Sequence, residues 1–123
     1  MSQSLNDLEP ITRNMVTRLI AGLKMAGYPV RCTQTYRSIE EQNALYAQGR
    51  TLPGKIVTQA KGGQSPHNYR MAADLVFIKE GYNGPWDKVG SMAHEVGLVW
   101  GGDWHVMIDR PHVERRNWRK YIA

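Results

Sequence analysis

A chain of 123 residues, 41% of them hydrophobic and 22% charged, has the composition of an ordinary soluble globular protein, with room for one core and no second module. Its formal charge of +5 and pI near 9.6 imply attraction to polyanions, whether nucleic acid, a membrane surface or an anionic cell wall. No apolar run approaches the roughly 20 residues of a membrane span, no basic-then-apolar leader opens the chain, and the single Cys32 excludes an internal disulfide or a multi-cysteine metal site.

In chain order, the first element is a helix over about 8–26, with Pro10 in its first turn and Gly27 just past its end. Ile11, Met15, Leu19 and Leu23 recur at fourfold spacing beside Leu8, Val16 and Ile20, which predicts one broad apolar face. A strand over about 30–36 follows, setting Val30, Cys32, Gln34 and Tyr36 against Arg31, Thr33, Thr35 and Arg37. Cys32 then packs inertly in a half-buried strand. Ser38 and Glu41 form a capping box that opens a short helix to about Gln48, closed by Gly49. Residues 50–66 make a long loop whose apolar content is the short Ile56-Val57, and loops of that length are usually functional or mobile.

A strand over about 71–78 comes next, then a turn through Gly81 and Pro85. Trp86, Val89, Ala93 and Val96 mark a helix face that stops at Gly97. Two further strands are predicted, Leu98 to Trp100 and Trp104 to Ile108, separated by a Gly101-Gly102-Asp103 turn. The basic C-terminal run, with Arg110, Arg115, Arg116, Arg119 and Lys120, predicts a helix docking Trp118, Tyr121 and Ile122 while its charges face water. Helices and short strands without regular βαβ alternation predict an α+β domain with a small, mostly antiparallel sheet flanked by helices, spanning residues 1–123.

Asp74 interrupts Met71-Ala72-Ala73 and Leu75-Val76-Phe77-Ile78, a segment otherwise fit for burial. A carboxylate there needs a metal ion, a cation or a set of donors, because burying it unpaired costs several kcal/mol. His67 lies seven positions earlier in a polar, turn-forming run. Zinc is one candidate partner, since histidine and carboxylate are ordinary ligands for it and a catalytic site needs three protein ligands. His112, with Asp109 three residues ahead, offers a third. The alternative is a hydrogen-bonded structural pair. Of the remaining histidines, His94 is expected at the surface, and His105 as a contact of substrate or of the site's periphery. Trp104 is expected to line a substrate groove.

Together, T-Y-R-S at 35–38, S-x-H-x6-D at 65–74, E-x-G-L-x-W-G-G-x-W at 95–104 and D-x-P-H at 109–112 resemble the zinc peptidases that cut D-alanyl-D-alanine or L-alanyl-D-glutamate bonds in peptidoglycan. Within that family the chain is most similar to phage endolysins of the L-alanyl-D-glutamate type. The resemblance implies the α+β fold shared with the Hedgehog signalling domain, His67, Asp74 and His112 as Zn2+ ligands, and Asp109 as general acid/base. It further implies that Arg37 stabilises the substrate oxyanion and that Ser65 touches substrate. One position departs: Arg70 stands where the family usually has Gly, so a positive φ there would strain it.

The expectation is a monomeric zinc endopeptidase acting on the peptidoglycan stem peptide, without nucleic acid or stable membrane association. The resemblance to lysins places it in the host cytoplasm until lysis, when it reaches the cell wall. Two alternatives stand beside it: D,D-carboxypeptidase action on D-Ala-D-Ala, and a non-catalytic basic module that binds wall polymer or nucleic acid.

Overall fold

Pro10 opens the first helix without leaving an amide unpaired, and the Glu9 carboxylate accepts from the next two N–H groups, of Ile11 at 3.1 Å and Thr12 at 2.7 Å. In the computed structural model, which describes residues 1–122, this helix is α1 (Pro10–Met25), and Gly27 leaves it at φ 93°. Its buried stripe is Thr12, Val16, Leu19 and Leu23. Ile11, expected in the apolar face, is half exposed at 51%. The cause is local: the Thr12 hydroxyl also hydrogen-bonds the Glu9 cap, so Thr12 takes the inward position and Ile11 turns to the edge.

The remaining regular elements are β1 (Val30–Gln34), α2 (Ile39–Ala47), β2 (Ala72–Phe77), α3 (Trp86–Val96), β3 (Leu98–Trp100) and β4 (His112–Arg115). The four strands form one sheet in the order β1-β2-β4-β3, every neighbouring pair antiparallel. This is the α+β architecture expected from the sequence. Successive strand residues point to opposite faces. Ala73, Leu75, Phe77 and Val113 pack with Val16, Leu19 and Leu23 of α1 and Val89 and Ala93 of α3 in the core. Asp74 and His112, directly opposite each other across β2 and β4, are left on the other face. One layer carries the core and the other is free for chemistry.

A bulge in β1 sharpens that division. Cys32 pairs with Leu75, but Gln34 rather than Thr33 pairs with Asp74. The extra residue moves Gln34 off the face that simple alternation assigns it and sets it beside the carboxylate. The capping box at Ser38 and Glu41 forms as expected, at 2.9 and 3.0 Å, and launches α2 along the site's edge. Cys32 is half-buried, and burial pushes its thiol up to about 11, which keeps it protonated and inert.

Two expectations fail at the C-terminal end. Residues 104–108 form no strand: Val106 is 78% exposed, Ile108 is exposed, and Met107 turns the chain at φ 54°. The last strand comes instead after Pro111, whose carbonyl accepts from Leu75 N–H while its missing amide falls outside the ladder. β4 wins because Val113 fills the core between β2 and β3, an anchor that no residue of 104–108 has. The expected terminal helix is a single 3-10 turn, Trp118–Tyr121. It buries Trp118 against the Tyr69 ring at 5.8 Å, whereas Tyr121 is exposed and Ile122 half-buried. Ala123, the end of the expected domain, lies outside the described residues. Among those residues no helix is long and apolar enough to cross a membrane.

Arg70 does take the left-handed conformation, φ 64° and ψ 31°, closing the 3-10 turn Pro66–Tyr69. Its side chain offsets part of the strain: the guanidinium lies 4.1 Å from the centre of the Tyr36 ring and donates to Asp7 O at 3.0 Å. Arg70→Ala keeps the strain and removes both contacts, while Arg70→Gly removes the contacts and relieves the strain. Urea denaturation is therefore expected to find Arg70→Ala less stable than Arg70→Gly by about 1 kcal/mol; equal or reversed stabilities would contradict this account.

Candidate functional site

His67 reaches the sheet from the Pro66–Tyr69 turn. Ser65 caps that turn, its hydroxyl accepting from His67 N–H at 3.2 Å. Asn68 ties the turn down on both sides. Its amide donates to Arg37 O at 2.9 Å and Ser38 O at 3.3 Å, and its side-chain oxygen accepts from Gly63 N–H at 3.0 Å and Ser65 N–H at 3.3 Å. The His67 carbonyl also accepts from Arg37 N–H at 3.1 Å, which joins the His67 turn directly to the Arg37 backbone.

The His67 ring is buried and its Nδ1 lies 2.7 Å from Thr35 O. A carbonyl only accepts, so Nδ1 carries the proton and Nε2 presents a lone pair. That Nε2 is buried without a hydrogen-bond partner and lies 3.3 Å from Asp74 Oδ1. Two lone pairs facing each other at that range call for a cation between them. His112 completes the group: Nδ1 lies 3.2 Å from the same Asp74 oxygen, while Nε2–H donates to Glu114 Oε1 at 2.8 Å. Ligand atoms of His67, Asp74 and His112 all lie within 4.8 Å of one another. Two imidazoles and one carboxylate suit zinc, and a carboxylate holding the distal imidazole N–H is the usual support for a ligating histidine.

The electrostatics agree. Asp74 is 18% exposed; burial alone would raise its pKa, but the hydrogen bond from His112 and the imidazole of His67 beside it hold it well below the ordinary carboxylate range. Burial would lower His112, but the hydrogen bonds to Asp74 and Glu114 outweigh it and push the imidazole up to about 10.

A cleft of 770 Å³ opens onto this cluster. Arg37, Ser65, Trp104 and Asp109 line it together with His67, Asp74 and His112. Arg37 is buried, and its guanidinium donates to Gln42 Oε1 at 2.8 Å and to the Gln34 amide oxygen, with Asp74 Oδ2 at 4.0 Å. Asp109 is raised above the ordinary carboxylate range by burial and by the Asp74 charge, against the pull of His112, His67 and Arg37. Its backbone is pinned by Gly101. Asp109 N–H donates to Gly101 O at 3.0 Å, and a Cβ on Gly101 would stand 2.2 Å from Asp109 O. The Trp104 ring centre is 5.2 Å from that of His112. The Ser65 hydroxyl is committed as a cap. His105 is exposed and lies outside the cleft lining. His94 is at the surface, bonded to Asp103.

Glu114, Gln34, Gln42 and Asn68 belong to the site's framework and were not singled out by sequence. Glu114 had a detectable signal: it stands two residues after His112, so a strand at 112–115 puts both on one face. The two glutamines had none, since a bulge and a helix bring them to Arg37.

A family model described as D-alanyl-D-alanine carboxypeptidase matches residues 58–115, the stretch holding all three ligand candidates and Asp109. The Bacillus subtilis peptidoglycan L-alanyl-D-glutamate endopeptidase CwlK is 39% identical over 123 aligned positions, covering 89% of this chain and 74% of that protein. Among solved structures, the Serratia marcescens L-Ala D-Glu endopeptidase ChiX superposes with a TM-score of 0.68 at 24% identity, covering 97% of this chain and 87% of its own. A D,D-pentapeptidase VanY from a VanB-type resistance cassette, in complex with Zn(II), superposes at 0.64 with 15% identity, covering 91% and 74%. The chain belongs to the D-alanyl-D-alanine carboxypeptidase family, and it is a peptidase with that family's fold.

Because His112 holds its proton up to about 10, an ion entering the cluster must displace one proton from Nδ1. Apparent zinc affinity is therefore expected to rise with pH, by nearly tenfold per unit from neutrality to about pH 9. Calorimetry in buffers of different ionisation enthalpy is expected to count about one proton released per ion; affinity independent of pH would rule this coupling out.

Proposed function

We propose that this protein is a zinc-dependent endopeptidase that hydrolyses the bond between L-alanine and D-glutamate in peptidoglycan stem peptides. The observation that carries the proposal is the convergence of His67, Asp74 and His112 in one cleft with Asp109 and Arg37. The relationship to CwlK, at 39% identity, supports the choice of bond.

When bound, zinc supplies Lewis acidity and a water molecule activated at neutral pH. The protein's residues do the rest. Asp109, less acidic than an ordinary carboxylate, takes the proton from the attacking water and delivers it to the departing amine. Arg37 keeps a permanent charge at the cleft wall, held by Gln34 and Gln42, where it meets the negative charge that develops on the scissile carbonyl oxygen. Trp104 walls the cleft beside His112 and limits the water that reaches the ligands.

The description of the matching family favours a second reading, release of terminal D-alanine from a pentapeptide. Mass analysis of purified peptidoglycan digests separates the two: scission between alanine and glutamate is expected, abolished by a chelator and restored by zinc. Release of D-alanine alone would select the carboxypeptidase reading, and binding without scission a non-catalytic module.

Asp109→Asn is expected to keep fold and zinc while losing about 10²–10⁴ in kcat. Since Asp109 must be deprotonated to act and its pKa is raised, activity is expected to fall as pH drops through a value above the ordinary carboxylate range. Retention of full turnover in Asp109→Asn would remove it from the mechanism.

We also propose a lytic role, with the enzyme held in the host cytoplasm until the membrane is breached. The motif resemblance to endolysins supports this, as does the basic charge that draws the protein to an anionic wall. Cells expressing it are expected to stay turbid until chloroform permeabilises the membrane and then to clear; cells that remain turbid after permeabilisation would count against lysis.

A further inference from the structure

The basic C-terminal run is not absorbed by the hydrolytic chemistry. Most of it faces water: Arg116 and Lys120 are exposed and lie outside the cleft, and Arg115 pairs with Glu9 at 3.4 Å and covers the Tyr121 ring at 3.6 Å. Arg119 differs. It is exposed yet lines the cleft, with its guanidinium 4.3 Å from the centre of the Trp118 ring. Trp118 is buried and stacked on Tyr69, which sits in the turn that carries His67. The platform under Arg119 is thus tied to the ligand cluster.

The charges around the cleft are unequal. Asp74, Asp109 and Glu114 line it, and any anion entering meets them. Of the lining residues two carry a permanent positive charge, Arg37 and Arg119. Arg37 is buried, held by Gln42 and Gln34 beside Asp74, and the proposed mechanism assigns its charge to the scissile carbonyl oxygen. Among the described residues Arg119 forms no ion pair. Stacking fixes the plane of a guanidinium while leaving its N–H edge open for a planar, bidentate acceptor.

D-glutamate is a dicarboxylic residue. Its amine is consumed in the scissile bond and one carboxyl continues the stem, which leaves the other anionic close to the point of cleavage. We propose that Arg119, stacked on Trp118 at the cleft wall, binds this free carboxylate and so selects an acidic residue on the amine side of the scissile bond. The assignment rests on the L-alanyl-D-glutamate reading and specifies how the substrate is recognised.

The test compares two synthetic stem peptides with the zinc-loaded enzyme, one with the free carboxylate and one with a carboxamide in its place. The wild type is expected to favour the carboxylate peptide by about tenfold in kcat/KM, mostly through KM, with the preference shrinking as salt is added. Arg119→Gln is expected to lose on the carboxylate peptide alone, bringing the two peptides level, and Arg119→Lys to recover part of the difference. A preference unchanged in Arg119→Gln, an equal loss on both peptides, or no preference in the wild type would overturn the assignment while leaving the cleaved bond established. Failure of the wild type to cut either peptide between alanine and glutamate would overturn the proposed bond, and Arg119's role with it.

Discussion

A carboxylate in the middle of a buried sheet is the constraint around which this molecule is arranged. Asp74 sits between Ala73 and Leu75, both wholly buried, on a strand paired on both sides. Such a group is tolerable only with compensating charge and hydrogen bonds, and removing a partner is far costlier than the pair's net worth. The surroundings answer this from three directions, with His67 from a turn, His112 from the neighbouring strand and Arg37 from the chain just beyond β1. The orphan lone pair on His67 Nε2 shows that compensation is incomplete within the chain itself. A divalent ion would complete it, and His67, Asp74 and His112 are a donor set that could hold one.

Holding that geometry takes a second set of polar residues whose work is positional. Thr35 fixes the tautomer of His67, Glu114 orients His112, and Gln34 with Gln42 holds the Arg37 guanidinium. Asn68 links the His67 turn to the Arg37–Ser38 segment. The bonds of Thr35 to His67 and of Asn68 to Arg37 and Ser38 join segments distant in sequence, whereas those of Glu114, Gln34 and Gln42 are local braces on His112 and Arg37. The sheet makes this affordable: its other face carries the apolar core with α1 and α3, and chemistry and packing do not compete for the same side chains.

The cleft walls differ in kind. The side with His67, Asp74 and His112 is charged and braced, whereas Ile56, Val57, Val106 and Ile108, which also line the cleft, are exposed apolar residues on two loops outside regular structure. Exposed apolar side chains beside a reactive centre suit a groove that trades water for substrate on binding. The net charge of +5 is likewise uneven in effect, since most of the C-terminal cations meet only solvent.

Local chemistry accounts for what was legible in the sequence. The helix bounded by Pro10 and Gly27 and the Ser38–Glu41 cap each depend on contacts within a few residues, the strand holding Asp74 shows as an apolar run, and the left-handed turn at Arg70 was implied by the family resemblance. Motif order pointed to the family, and the anomaly of an acid within an apolar run pointed to a site. Other features were decided by tertiary structure. The bulge in β1 turns Gln34 toward Asp74, and competition for the core makes His112–Arg115 the last strand while residues 104–108 stay a loop. That strand sets His112 opposite Asp74 and Glu114 beside it. Period and propensity cannot express such outcomes, because register and convergence are set by long-range pairing, and only the closed sheet determines which distant side chains share one hollow.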